Sequence, residues 1–241
     1  MRTLNVTTAM SEFNIAVYET KSLYDHCSSE YNDGWRAKKR AETFIEGALN
    51  RWGYSVNFED TTNHIANPGT EKRDETFSDD CTLCDPQGID CTYRVLGWFK
   101  EWVECGRPAG DHSSILLSNT SSPSGGRAYR NGKYAHATTG RFVADLPSSY
   151  EKHGTTDADN GFNTVIHELG HNFMQNTNFD TDGDGEDHHD VARYYSRVDW
   201  YTQTAMDSNG GSNECGDSEK SYRGWEHTWS DCCHDRWSVS L

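Results

Sequence analysis

The residues best suited to chemistry in this 241-residue chain lie at positions 167–171, which read HELGH. His167 and His171 are four residues apart, so a helix would place both imidazoles on one face, one turn apart. Two imidazoles in that arrangement can bind one metal ion, and Glu168 lies beside the first of them. A bound zinc ion lowers the pKa of a water molecule, and a neighbouring carboxylate can accept its proton. The pattern therefore predicts a zinc centre with Glu168 as general base and acid.

The segment around these residues has the pattern of an amphipathic helix. We predict that it runs from Asp159, as its N-cap, to Asn176. Its apolar positions share one face, away from the histidines: Phe162, Val165, Ile166, Leu169 and Phe173. This helix would hold both imidazoles on its polar side.

The motif resembles that of the metzincin superfamily of zinc peptidases, in which a glycine such as Gly170 typically precedes the second histidine. A typical member continues with a turn glycine and then a third ligand. Met174 and Thr177 occupy those two positions here. The departure indicates that the helix runs on and that the third ligand comes from farther along the chain.

Three residues are candidates for the third zinc ligand: Asp180, His188 and His189. We predict His189, because histidine is a favoured zinc ligand and the step His189-Asp190 resembles one found in divergent metzincins. His188 and Asp180 remain open alternatives. A thermolysin-like fold would instead need a glutamate ligand, for which Glu186 is the nearest residue.

Residues 204–207 (TAMD) resemble the Met-turn that lies under the zinc histidines in metzincins, with Met206 as its methionine. The resemblance implies a secreted zinc endopeptidase that acts on protein or peptide substrates as a monomer. It also implies a single two-lobed α+β domain over residues 1–241, with a twisted mixed sheet and a long active-site helix. The N-terminal lobe would cover about residues 1–176, and a coil-rich C-terminal lobe about 177–241.

The pattern of apolar residues agrees with an α+β fold. It predicts strands over 13–18, 54–58 and 114–117, and helices between Asp33 and Gly53 and over 93–105. Weaker strand candidates are 134–137 and 141–144, and the first of these could be the edge strand that pairs with substrate. Residues 60–92 show little periodicity and are predicted to be a cysteine-stapled loop.

An acidic segment follows the zinc helix, with carboxylates at the alternate positions Asp180, Asp182 and Asp184, followed by Gly185. This matches the first half of an EF-hand loop, but Val191 stands where a bidentate glutamate is expected. We predict a calcium loop of a looser type, with a solvated acidic turn as the alternative. Because the segment joins the zinc helix to His189, bound calcium would fix the third zinc ligand.

The formal net charge of -16 makes nucleic acids and anionic membranes improbable partners. It is consistent with an acidic surface suited to high salt, or with local cation binding. The sequence contains no run of eighteen apolar residues, so no membrane-spanning helix is predicted. Eight cysteines indicate disulfides and an oxidising compartment, although a four-thiolate zinc site is the alternative for the cluster: Cys81, Cys84, Cys91 and Cys105.

Two other functions fit parts of the sequence. The first is a non-catalytic, disulfide-rich calcium-binding or adhesion module with a vestigial zinc site. The second is a zinc hydrolase that acts on a non-peptide amide. Glu168 counts against the first alternative, because a purely structural zinc site does not require that carboxylate.

Overall fold

A mixed five-stranded sheet is the centre of this α+β protein. The computed structural model describes residues 11–81, 83–84, 88–120, 125–130, 132–174, 194–197, 200–206 and 224–238. The strands are β1 (Glu12–Glu19), β2 (Ser55–Phe58), β3 (Thr76–Asp80), β4 (Asp90–Arg94), β5 (Ser113–Leu117), β6 (Gly126–Ala128), β7 (Tyr134–Ala137), β8 (His153–Gly154), β9 (Tyr194–Arg197), β10 (Trp200–Gln203) and β11 (Gly224–Glu226). The helices are α1 (Lys21–Tyr31), α2 (Arg36–Asn50), α3 (Val95–Glu104), α4 (Gly140–Val143), α5 (Asp157–Phe173) and α6 (Asp231–His234).

The strand order of the central sheet is β2-β1-β5-β7-β6. Its first four strands are parallel, and β6 pairs antiparallel with β7 at one edge. Strands β1 and β5 lie inside the sheet and are buried along most of their length. Covered interior strands read as continuous apolar runs, which is why both were visible in the sequence. The predicted α+β class with a mixed sheet is confirmed.

Each face of the central sheet contributes to a separate hydrophobic cluster. Phe13, Ile15 and Val17 of β1 belong to the cluster that also contains buried residues of α2, α4 and α5. Ala16 and Tyr18 belong to the opposite cluster, which is built mainly with α3. This alternation follows from the two-residue period of a strand. It places α5 on one face of the sheet, where it contacts β6 and β7.

Two helices differ from the sequence prediction. Helix α1 was missed, because only Leu23 and Cys27 of its residues are buried and its apolar pattern is correspondingly weak. Residues 141–144 were predicted as a weak strand, and this is wrong: Gly140–Val143 form the short helix α4. Helix α4 contacts α2 and α5. A short apolar run does not distinguish a strand from a buried helical turn, and packing decides between them.

The segment predicted as a stapled loop contains an antiparallel hairpin, β3–β4, with Thr76 opposite Arg94. Much of the hairpin is exposed, and its aspartates weaken the strand pattern. Two disulfides, Cys81–Cys91 and Cys84–Cys105, tie the hairpin together and to the end of α3. The predicted disulfides of this cluster are confirmed, and the four-thiolate zinc alternative is wrong.

The remaining described cysteines behave differently from one another. Cys232 is also disulfide-bonded, whereas Cys27 and Cys233 are buried free thiols. The disulfide framework therefore does not include all eight cysteines. The disulfides nevertheless indicate an oxidising environment for the folded chain.

A second sheet, with the order β8-β11-β10-β9, follows the central one. Strand β11 contacts α5, which links this sheet to the main core. The division into lobes at about residue 176 stays a prediction, because residues 175–193 and 207–223 lie outside the described part of the chain. Among the described helices, none is long and apolar enough to cross a membrane.

Candidate metal centre

Helix α5 is fixed at its first turn by a capping box. Thr156, not Asp159 as predicted, is the N-cap, and its side chain accepts a hydrogen bond from the backbone N–H of Asp159. The Asp159 carboxylate in turn accepts from the Thr156 backbone N–H at 2.6 Å. The sequence prediction was three positions late, because both residues have the capping chemistry and only the reciprocal pair identifies the boundary.

The same carboxylate anchors the helix to the second sheet. The Nε2 atom of His227, which is fully buried, lies 3.1 Å from Oδ1 of Asp159. Burial raises the pKa of Asp159, but hydrogen bonds from His227 and Thr156 outweigh that effect and lower it to about 2. The charged carboxylate is therefore favoured in the folded state.

The depressed pKa makes Asp159 a source of acid-sensitive stability. Because the folded-state pKa lies below the ordinary value, the stabilisation is complete above about pH 4 and is lost as the pH falls towards 2. We expect Asp159→Asn to lower the free energy of unfolding by about 1–2 kcal/mol at pH 7. Denaturant unfolding from pH 7 to 2 should show the difference from the parent shrinking below pH 4. The exposed Asp157→Asn is the matched control, and an equal loss in that variant would contradict the assignment.

His167 and His171 point towards the same place beside α5. Their Nε2 atoms are 3.2 Å apart, and their ring centroids are separated by 4.8 Å. Nitrogens this close need a proton or a metal ion between them. Two ligand nitrogens on a tetrahedral zinc ion would be separated by roughly 3.3 Å. The residues present therefore fit a zinc ion held by both Nε2 atoms.

One contact at this site depends on the protonation of His167. The backbone N–H of Met206 lies 3.2 Å from Nδ1 of His167 and donates to it. That hydrogen bond leaves the ring proton on Nε2, from which it can be shared with His171. A zinc ligand through Nε2 carries its proton on Nδ1 instead. Zinc binding through Nε2 would therefore require the ring proton of His167 to shift to Nδ1, and the Met206 N–H could then no longer donate to that nitrogen.

Glu168 lies in the next helical position and is only 4% exposed. Burial raises the pKa of its carboxyl to about 8, although the charges of Arg73 and Arg127 act in the opposite direction. Its side chain packs against β6 at Gly126. A Cβ atom added to Gly126 would lie 2.5 Å from Cγ of Glu168 and 2.4 Å from the carbonyl oxygen of His136. Glycine at this position therefore lets the edge strand approach the carboxylate.

Buried side chains from the C-terminal region form the floor under the two histidines. Met206 and Trp229 are almost fully buried, and the Trp229 indole N–H donates to the Ile166 carbonyl at 2.9 Å. A Cβ atom added to Gly170 would lie 2.5 Å from Sδ of Met206 and 2.8 Å from Nε1 of Trp229. The glycine between the histidines is thus required by close packing from below. Met206 also has a φ of 74°, a left-handed conformation unusual for a side chain of its size.

The helix ends at Phe173, not at Asn176 as predicted, because Met174 is already extended and bridges to Trp237. The Sδ atom of Met174 lies 3.4 Å from Sγ of Cys233. The chain therefore leaves the helix two residues after the second histidine. The prediction that the helix runs on was wrong, since neither Met174 nor its neighbours carry an obvious stop signal in the sequence.

A cleft of about 450 Å³ opens above the two histidines and Glu168. Strand β6 forms one wall, and this strand, not β7, is the edge of the central sheet. The prediction that residues 134–137 are the edge strand was therefore wrong. The sequence showed no clear strand at residues 126–128, because the segment is short, contains a glycine and is followed by turns.

Three arginines line the cleft, and sequence reasoning did not identify them: Arg73, Arg127 and Arg130. Asp74 is bracketed by two of them, with Oδ1 2.7 Å from Nη2 of Arg127 and Oδ2 3.0 Å from Nη2 of Arg73. Hydrogen bonds from Arg127 and then Arg73 lower the pKa of Asp74. The grouping joins segments more than fifty residues apart, so no local pattern could have revealed it.

The remaining predicted site residues lie outside the described residues. They are the third-ligand candidates His188 and His189, and the calcium candidates Asp180, Asp182 and Asp184. Within the described ranges, no group of three or more His, Cys, Asp or Glu side chains could hold a metal ion. The structure brings together His167, Glu168 and His171, and the third ligand and the calcium loop stay predictions.

Comparison with known proteins gives no assignment for this chain. No family model matches it, and a search of curated proteins finds no match.

Proposed function

We propose that the chain is a secreted zinc-dependent endopeptidase of metzincin-like fold. The observation that carries the proposal is the 3.2 Å separation of the two Nε2 atoms beside a buried glutamate, at the base of a cleft. Zinc is a good match for this donor set, because imidazole nitrogens on one helix face are its usual ligands. His189 is proposed as the third ligand and a calcium ion as the stabiliser of residues 180–184.

The described residues have distinct parts in the proposed reaction. When bound, zinc would act as a Lewis acid and lower the pKa of a water molecule. Glu168 would accept a proton from that water and then deliver it to the leaving amine. The burial of this carboxyl favours the protonated form needed for delivery, and the positive charge of a bound zinc ion would favour the charged form needed to accept the proton. Met206 and Trp229 hold the histidines from below.

Strand β6 is proposed to bind the substrate backbone. Among the described strands, β6 pairs only with β7, so its other edge could take an added strand on the cleft side. An extended peptide there would pass over Glu168, since Gly126 contacts the carboxylate directly. Peptide hydrolysis fits this arrangement better than hydrolysis of a small amide, which would have no use for a strand edge. A non-catalytic module would not require a carboxylate buried beside the two histidines.

Metal content and proteolysis together test this proposal. We expect one tightly bound zinc ion per chain and cleavage of casein that 1,10-phenanthroline abolishes and added zinc restores. His171→Ala should lose both the metal and the cleavage. Among the candidate third ligands, His189→Ala should lose zinc and His188→Ala should retain it. Casein cleavage that persists in His171→Ala at the parental rate would exclude the proposed centre.

A further inference from the structure

The described lining of the cleft is cationic, whereas the chain as a whole is acidic. The chain carries a formal net charge of -16, yet three arginines line this cleft. Among the described lining residues the only carboxylate is Glu168, which is buried at the base. Arg73 and Arg127 share one carboxylate, Asp74, so these three side chains together keep one positive charge. A local cationic surface in an acidic protein attracts anionic groups at short range, where salt screens the distant charges.

The position of Arg127 indicates where an anionic group would bind. Arg127 is the central residue of β6, and its side chain is exposed. Residues directly opposite one another on paired strands share a face and have Cβ atoms about 5 Å apart. A peptide added to this edge would therefore place one side chain beside Arg127. Arg73 also lies close to this strand: a Cβ atom added to Gly125, which directly precedes β6, would be 3.2 Å from Nη1 of Arg73.

The existing ion pairs leave binding capacity on both guanidinium groups. Asp74 accepts from Nη2 of Arg127, and from Nε and Nη2 of Arg73. A guanidinium has five N–H donors in a planar fork, so further donors remain on each arginine. Asp74 thus holds the two groups side by side, and a second carboxylate could accept from their remaining donors. The alternative is a structural clamp, in which the ion pairs of Asp74 only hold the loop at residue 74 against β6 and no ligand binds.

We propose that this cleft selects peptides with an aspartate or glutamate side chain at the position opposite Arg127. Arg127 and Arg73 are the specificity-determining residues, and Asp74 positions them. The inference rests on the proposed peptidase function for its substrate backbone, but the recognition of the acidic side chain can be measured without hydrolysis.

Binding to an uncleaved peptide gives the direct test. Fluorescent nine-residue peptides of glycine, alanine and threonine would carry one glutamate, moved through each position in turn, with a matched glutamine peptide for each. Affinities would be measured by fluorescence anisotropy with the Glu168→Gln chain in the presence of zinc. We expect glutamate to bind about tenfold more tightly than glutamine at one position only. The preference should weaken as salt is raised.

Variants of opposite charge separate recognition from a structural clamp. Arg127→Gln and Arg73→Gln should each remove most of the glutamate preference. Asp74→Asn should increase it, because asparagine keeps an oxygen that accepts from a guanidinium but removes the competing negative charge. If the contacts only held the loop at residue 74 against β6, all three variants would change peptide affinity in the same direction, because each breaks the same ion pairs. Lys39→Gln is the matched control: it removes one exposed positive charge and one aspartate pair outside the cleft, and should change nothing.

The outcomes distinguish the two proposals. Equal affinity for glutamate and glutamine peptides, or a preference that survives Arg127→Gln, overturns the inference even if the protein cleaves casein. A preference that follows the charge changes supports it even if no peptide is hydrolysed, in which case the peptidase function alone fails. If both hold, kcat/KM of the parent should show the same glutamate preference at the same position.

Discussion

Replacing Glu168 with glutamine is expected to lower kcat/KM for peptide hydrolysis by about 10²- to 10⁴-fold, the usual contribution of a general acid–base group. Glutamine keeps the shape of the side chain against Gly126 but cannot accept or deliver a proton. The neighbouring imidazoles are unchanged, so zinc content should stay at the parental value. Cleavage of a quenched fluorescent peptide and zinc analysis of the same sample provide the measurement.

The exposed Glu104→Gln is the matched control for this substitution, because it makes the same chemical change on α3, away from the cleft. It should leave both cleavage and zinc content as they are in the parent chain. Peptide hydrolysis by Glu168→Gln within a fewfold of the parent would remove Glu168 from the reaction. Loss of zinc from this variant would instead show that the carboxylate acts in assembling the metal site.

Gly170→Ala is expected to destabilise the protein by about 1–3 kcal/mol, because the added methyl group overlaps Met206 and Trp229. Helix propensity alone predicts the opposite sign, since alanine is favoured over glycine in a helix interior by about 1 kcal/mol. The displaced groups touch the metal site, because the Met206 backbone contacts His167. Zinc affinity should therefore fall together with thermal stability, which calorimetry and competition with a chelator would measure.

Gly97→Ala provides the control of opposite sign. Gly97 lies inside α3, and a Cβ atom added there has no neighbour within 4 Å. This variant should gain up to about 1 kcal/mol of stability and keep the parental zinc affinity. A stabilising Gly170→Ala would mean that Met206 and Trp229 can move aside at little cost, and that Gly170 is not required by packing.

Several elements could be predicted from the sequence because their signals are local. The apolar run at β1, the amphipathic faces of α2, α3 and α5, and the spacing of His167 and His171 all follow from periods of two or 3.6 residues. The sequence predicted disulfides among the cysteines of the first cluster but not their pairing, which depends on the hairpin β3–β4. These are features in which neighbouring residues carry the information.

The features that were missed depend on contacts between distant segments. Strand β6 is an edge because of its place in the sheet, and its three residues alone do not show this. The arginines of the cleft come from segments more than fifty residues apart, joined through Asp74. The helix boundary at Phe173 is explained by the bridge from Met174 to Trp237, which the sequence around residue 174 does not encode. Tertiary packing decided each of these cases against local preference.

The floor of the candidate centre also sets the order in which a growing chain can assemble it. Trp229 donates its hydrogen bond to Ile166 from 63 residues farther along the chain. A ribosome that adds about 5–20 residues per second needs roughly 3–13 s for that stretch. Helix α5 can pack on the central sheet during this interval, but Met206 and Trp229 cannot yet support its histidines. The packing of Trp229 under the candidate centre therefore forms only after residue 229 has been synthesised, later than helix α5 can pack on the central sheet.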